Sequence, residues 1–305
     1  TDAKPDEPDE KPDKKKPPKK RKPAKDTGER EAPTRISPSE LRQKDQADAL
    51  GVVDAAEKAG QITPTVAASW NEAKQRRFDL AETRQITPPL NAEEPSTAGK
   101  HTVDADGKTW TPERQAMHDE IIDAALDGVP ASDSPVVQIM GGGPAAGKSS
   151  IIRGGQIQLP GAHVSANSDE FKADLPEYRN GTDVGDTGAA YNAHKESSYL
   201  NKEVQNRAAA AKQNVVWDGT GDHSIQHLEK EVARYRAQGY EVKSDYVSVH
   251  PDEAVRRAKK RGEETGRVVP ESVIRDTHTV ISQMWPEAVA QGLFDSSNLW
   301  STDAG

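Results

Sequence analysis

The hydrophobic pattern divides the chain into stretches of unlike character. Up to about Ser37 there is no apolar period at all: Lys, Asp, Glu and Pro alternate, as in KPDKKKPPKKRKPAK. Nothing in this stretch can offset the entropy of ordering, so residues 1–37 are expected to form a disordered, charged tail. Its basic run from Lys14 to Lys25 reads as a tether for an anionic surface, or as a solvated linker softened by the acids around it. From Pro38 apolar residues recur at helical spacing. Ser39 can cap a helix through Leu41, Ala49 and Val52 that ends near Gly60, and Thr63-Pro64 opens a second through Val66, Trp70, Phe78 and Leu80. Residues 38–84 are thus expected to be a small helical hairpin, a docking or oligomerisation element without chemistry of its own. Pro88-Pro89, Pro95 and Gly99 break any regular element, and residues 85–109 read as linker.

From about Trp110 the period alternates between helix and strand. Thr111-Pro112-Glu113 opens a helix through Ile121, Ile122 and Leu126 that Gly128 ends. Strands are predicted at Val136–Met140, Ala162–Ser165, Val215–Trp217, Tyr246–Val249 and Asn298–Ser301. Helices fall between them at about Ala189–Gln213, Ser224–Gln238, Asp252–Glu264 and Pro270–Gln291. Strands separated by helices imply parallel pairing, so residues 110–305 are expected to be a three-layer α/β/α sandwich around a mainly parallel sheet. Ligands of such sheets bind beyond the carboxyl ends of the strands.

Composition narrows this little. Charged residues are 30% and hydrophobic ones 33%, with 21 prolines, and most of the apolar deficit sits near the N-terminus. The net charge of −9 disfavours wrapping nucleic acid over the whole surface. With no cysteine there is no disulfide, thiolate zinc site or thiol nucleophile, which fits a reducing cytoplasm. No run approaches the ~20 apolar residues of a membrane span, and the first residues do not read as a signal peptide. Starting at Thr1, the chain is expected to be a processed product or a fragment of a longer protein.

The chemistry begins at Gly142-Gly143-Pro144-Ala145-Ala146-Gly147-Lys148-Ser149, which satisfies G-x-x-x-x-G-K-[ST] between an apolar strand and a helix. This is a P-loop. Residues Gly142 to Ser150 are expected to cradle the phosphates of ATP, with Lys148 on the β- and γ-phosphates and the Ser149 hydroxyl on Mg²⁺. Three further clusters bear on what is done with the phosphate. Asp169, in Ser168-Asp169-Glu170-Phe171-Lys172, can serve as a general base beside the γ-phosphate or simply cap a helix. Asp218, in VVWDGTG, sits where a strand-end acid holds Mg²⁺, or marks an ordinary Asp-Gly turn. Arg256, Arg257, Lys259, Arg261 and Arg267 flank a glycine-containing segment that can close over a triphosphate, or line a solvated helix face.

Together GGGPAAGKSS, NSDEFKADLPEY, VVWDGTGDHS, and RGEETGRVVPE leading into GLFDSSNLWST resemble the zeta-toxin family of P-loop kinases, over about Pro135 to Thr302. The resemblance implies a bacterial or phage toxin that phosphorylates the 3′-hydroxyl of UDP-N-acetylglucosamine, uses ATP and Mg²⁺ and is countered by an antitoxin. It implies Asp169 as the base, Lys148 and Ser149 as phosphate and Mg²⁺ contacts, and Arg261 and Arg267 as lid arginines, with Arg257 as an alternative to Arg261. It further implies Glu203, Lys172, Asp218 and Thr220 as substrate contacts and a specificity region around Leu175 to Lys202. Asp218 departs from the family, where Glu is frequent. The runner-up readings are a kinase for another acceptor, such as an antibiotic or a polynucleotide 5′ end, and a nucleotide-dependent assembly module.

Overall fold

Five short strands pair side by side and all run the same way: β1 (Val136–Gly141), β2 (Val164–Asn167), β3 (Val215–Asp218), β4 (Glu241–Ser248) and β5 (Ser296–Ser301). Their spatial order is β2-β3-β1-β4-β5. The computed structural model describes residues 36–84, 96–104, 109–183, 188–219, 224–265 and 269–303. The strand alternation splits the core into two layers. Val137, Ile139 and Val215 face one hydrophobic cluster, and Met140 and Val216 face another. A strand covered on both faces reads as a near-continuous apolar run, which is what β1 is.

Helices precede the sheet and fill its crossovers. α1 (Pro38–Lys58), α2 (Pro64–Thr83), α3 (Thr97–His101) and α4 (Pro112–Leu126) come before β1, and α5 (Lys148–Arg153) leaves it. The β2–β3 crossover holds α6 (Ser168–Asp174), α7 (Pro176–Asp183), α8 (Ala189–Asn192) and α9 (His194–Ala210). α10 (Ile225–Ala237) joins β3 to β4, and α11 (Pro251–Thr265) and α12 (Glu271–Ala290) join β4 to β5. This is the α/β P-loop architecture that the alternating pattern implies.

Several boundaries differ from those read in the sequence, β2 and β5 by two residues. The cap of α1 is Ser37 rather than Ser39, because Ser37 Oγ accepts from Glu40 N while the Glu40 carboxylate accepts from Ser37 N at 2.7 Å. β4 begins at Glu241, five residues before the expected start at Tyr246. The residues it adds before Tyr246 look too polar for a central strand, yet Asp245 among them accepts from Gln138 Nε2 at 2.6 Å and Trp300 Nε1 at 2.7 Å. Part of the expected linker, Thr97–His101, is a helix capped by Ser96, while 85–95 and 105–108 lie outside the described residues. The expected tail, but for Ile36 and Ser37, lies outside them too.

The helical hairpin α1–α2 is not a free-standing element. Val53, Ala56, Ala67 and Trp70 share one hydrophobic cluster with Ile121 and Ile122 of α4, Val164 of β2 and Phe171 of α6. Trp70 is buried and stands edge-on to the His163 ring, with centroids 4.9 Å apart. Gly128 lets α2 and α4 approach closely: its φ is +73°, and a Cβ there would lie 2.8 Å from that of Ala73. From α2, Arg77 lies over the Phe171 ring and donates to Asp174 Oδ2 at 2.6 Å.

Beneath α3 and α4 lies a buried ionic network. The Arg114 guanidinium donates from Nε and Nη2 to Glu196, at 2.5 and 2.9 Å, and from Nη1 and Nη2 to Glu177, at 3.0 and 2.9 Å. His118 Nε2 is 2.6 Å from Glu196 Oε1, and His101 Nε2 is 2.8 Å from Glu177 Oε1. Burial alone would raise the Glu177 carboxyl, but hydrogen bonds from His101 and Arg114 and the Arg114 charge hold it down at about 2.

If hairpin and sheet share one core, Trp70→Ala lowers the stability of the whole unit rather than fraying the hairpin alone. The expected cost is about 3–5 kcal/mol. Urea unfolding followed by circular dichroism and by fluorescence of the remaining tryptophans should give a single, coincident, shifted transition. A separate early transition confined to helix signal would contradict the shared core.

Candidate functional site

The site forms where β1, β2 and β3 end together. Register places Met140 of β1 and Asn167 of β2 level with Asp218 of β3, so the phosphate loop, the head of α6 and the end of β3 start from one row. The loop is shaped by its backbone. Gly142 (φ +137°) and Gly147 (φ +94°) take conformations that L side chains rarely adopt, and a Cβ on Gly142 would sit 2.6 Å from the Val247 carbonyl oxygen. Ala145 is also left-handed, at φ 60°, a strained state for a residue with a Cβ.

Other elements hold the loop from behind. His278 of α12 places Nε2 3.1 Å from the Pro144 oxygen, and Thr302 Oγ1 donates to the Ala146 oxygen at 2.6 Å. Arg257 of α11 donates to Thr302 Oγ1 at 2.9 Å and to its carbonyl at 2.6 Å, while its Nε donates to Glu253 at 2.8 Å. Arg257, read as an alternative lid arginine, therefore supports the loop through Thr302. Arg261 lies one turn further along α11, and Arg267 lies outside the described residues.

On the open side, Lys148 Nζ donates to the Gly142 oxygen at 2.7 Å and to the Gly219 oxygen at 3.2 Å, and stands 3.6 Å from Asp218 Oδ1. Ser149 and Ser150 are exposed at the head of α5. Burial pushes the Asp218 carboxyl up, and the negative charges of Glu170 and Asp169 push the same way, against the opposing charge of Lys148. The charges of Asp169 and Glu170 thus reach the Asp218–Lys148 pair beside the phosphate loop. Among the described residues no group of three or more acidic or histidine side chains is arranged to hold a metal alone. Ser149 and Asp218 fit a hard divalent cation that takes its other oxygens from phosphates and water.

Asp169 is not the cap of α6. That role belongs to Asn167, whose Oδ1 accepts from Asp169 N at 2.9 Å and whose Nδ2 donates to Asp218 at 3.4 Å. Asp169 is left with an exposed carboxylate that accepts from Lys172 Nζ at 2.7 Å. Lys172, read as a substrate contact, is therefore in place beside it. Glu203 is elsewhere: it accepts from Asn206 at 3.2 Å, and its charge acts on Tyr199 and Arg207, whose guanidinium pairs with Asp119 of α4. Thr220 lies outside the described residues. Sequence reasoning missed Asn167, His278 and Thr302. Asn167 could have been found as the polar end of β2, but His278 and Thr302 carry no local signal. A separate apolar cleft of about 330 Å³ lies between α11 and α12, lined by Val255, Ala258, Val269 and Ile274, and no phosphate-loop residue lines it.

The sequence profile of the zeta toxin family matches residues 119–295. No curated protein matches the sequence. Among solved structures the chain is similar to one from the PezAT chromosomal toxin–antitoxin system of Streptococcus pneumoniae. That match has 17% identity and a TM-score of 0.52, and covers 63% of this chain and 78% of that one. It is also similar to the AvrRxo1-ORF1:-ORF2 complex solved with ATP, with 16% identity and a TM-score of 0.54 over 69% of this chain and 74% of that one. Likeness at these identities bears on the fold.

Two outcomes test the site. Gly142→Ala should abolish nucleotide binding beyond rescue, because its neighbour is backbone. Gly143→Ala should be partly rescued by His278→Ala, because there the atoms nearest the added Cβ belong to the His278 ring, 2.4 Å away. Asp218→Asn removes a half-buried charge whose ionised form is disfavoured in the fold, so its melting temperature should stay level or rise. Its affinity for Mg-nucleotide should fall about tenfold, with metal-free nucleotide binding kept. Calorimetry with and without Mg²⁺ reads both; a marked loss of thermal stability would contradict the assigned burial cost.

Proposed function

The chain belongs to the zeta toxin family of P-loop kinases, and on that premise we propose that it transfers the γ-phosphate of ATP to the 3′-hydroxyl of UDP-N-acetylglucosamine. The observation that carries this reading is the grouping of Asp169, Asp218 and Lys148 at neighbouring strand ends around one phosphate loop. A protein that only binds nucleotide has no use for an exposed carboxylate beside a second, half-buried one.

Asp169 accepts the proton of the attacking hydroxyl, its carboxylate held by the hydrogen bond from Lys172. Lys148 exchanges its present contacts with the Gly142 oxygen and Asp218 for phosphate oxygens, and the loop amides take the remainder. Mg²⁺ held by Ser149 and Asp218 would neutralise charge on the β- and γ-phosphates. Arg261 and Arg267, at the end of α11 and just beyond it, supply charge to the transferring group. Trapping UDP-N-acetylglucosamine as a phosphate ester would deplete a cell-wall precursor in the cytoplasm, the expected toxic effect. One relative comes from a toxin–antitoxin system and the other is the ORF1:ORF2 complex. That supports an antitoxin protein as this chain's partner.

Purified protein with Mg-ATP and UDP-N-acetylglucosamine should yield a phosphorylated sugar nucleotide. Asp169→Asn should lower the rate by about 10²–10⁴-fold with ATP binding retained. Undiminished turnover in that variant would remove Asp169 from the mechanism. Transfer only to antibiotic hydroxyls or polynucleotide 5′ ends would replace the acceptor.

A further inference from the structure

The helices beside Asp169 are tied together by a charge that comes from outside the family segment. Asp169 sits on α6; α7 follows it with one residue between, and α9 packs along it. All lie in the β2–β3 crossover, so no strand pairing fixes α7 against α9. Besides α8 and the apolar cluster shared by Tyr178 and Leu200, what joins them is Arg114. Its guanidinium lies between Glu177, near the start of α7, and Glu196, in the first turn of α9, and donates to all four carboxylate oxygens. Glu177, Glu196 and Arg114 are all buried, and His101 and His118 complete the group. Two buried carboxylates face a single permanent cation, so without it they would repel each other across the gap between the helices. Arg114 precedes residue 119, where the family match begins. Arg77 of α2, also outside the match, grips α6 in the same manner, through Asp174 at 2.6 Å and Glu170 at 3.8 Å.

We propose that Arg114 is a positioning residue for the acceptor: it sets the spacing of α7 and α9 that forms the acceptor wall beside Asp169. Acceptor binding depends on it and nucleotide binding does not. This rests on the reading of Asp169 as the residue that faces the acceptor. The division follows from the topology, since the phosphate loop is backed by β4, α12 and Thr302, while the hydrogen bonds of the Arg114 group run among α3, α4, α7 and α9.

Arg114→Met keeps the aliphatic stem and removes the charge. With UDP-N-acetylglucosamine as acceptor, its KM should rise about tenfold or more, with kcat changed less and the Kd of an ATP analogue within about twofold of the unmodified protein. Amide hydrogen exchange should quicken over residues 176–200 and stay level over 136–153. If Arg114→Met does not fold, Arg114→Lys keeps the charge but loses the two-sided fork, and carries the same expectation at smaller size. An unchanged acceptor KM, a parallel loss of ATP affinity, or exchange quickened evenly through the molecule would overturn the proposal. If the unmodified protein does not phosphorylate UDP-N-acetylglucosamine, that defeats the acceptor reading alone. The exchange pattern and ATP affinity then decide on Arg114.

Discussion

A loop that binds phosphate through its backbone must leave its amides bare, and a bare loop has few side chains with which to hold its own shape. In this protein the shape comes from outside. Gly142 lies against the Val247 carbonyl, Gly143 against the His278 ring, and Ala146 is bonded to Thr302, which Arg257 holds in turn. β4, α11, α12 and the segment after β5 thus converge on the turn between β1 and α5. The order of the sheet follows from the same need, because β4 must be the direct neighbour of β1 for Val247 to back the loop.

The other side of the turn is organised by charge. Asp218 is raised by burial and by two neighbouring acids, and Lys148 balances it while also bonding the Gly142 carbonyl. An arrangement that keeps a half-buried carboxylate charged against its preference sacrifices some stability for a function, and such sites are where sequences depart from good packing rules. Asn167 lets this group coexist with a helix start: by capping α6 it releases Asp169 from that duty.

What could be read in the sequence was whatever is local. The phosphate loop, the acid just after β2 at 169, the strand-end acid at 218 and the β-α alternation are written in consecutive residues. Three features were hidden because their cause lies far along the chain. β4 starts early since Asp245, unfavourable alone, finds Gln138 and Trp300 across the sheet. The support of the loop by His278 joins residues 134 positions apart. The Arg114 network unites α3, α4, α7 and α9, and in the sequence its members look like five unrelated polar residues. Ser37 rather than Ser39 as the cap of α1 is a smaller case: both precede apolar periodicity, but only Ser37 stands three residues before Glu40.

The hairpin that precedes the family segment has a consequence for where this domain can be cut. Its apolar face, with Trp70 at the centre, is the lid on a core that α4, β2 and α6 do not close among themselves. A recombinant fragment trimmed to the conserved segment would present that face to water and seek cover in its own copies. The boundary of the cooperative folding unit therefore runs well N-terminal to the boundary that sequence relationship draws, and inheritance and foldability divide this chain at different places.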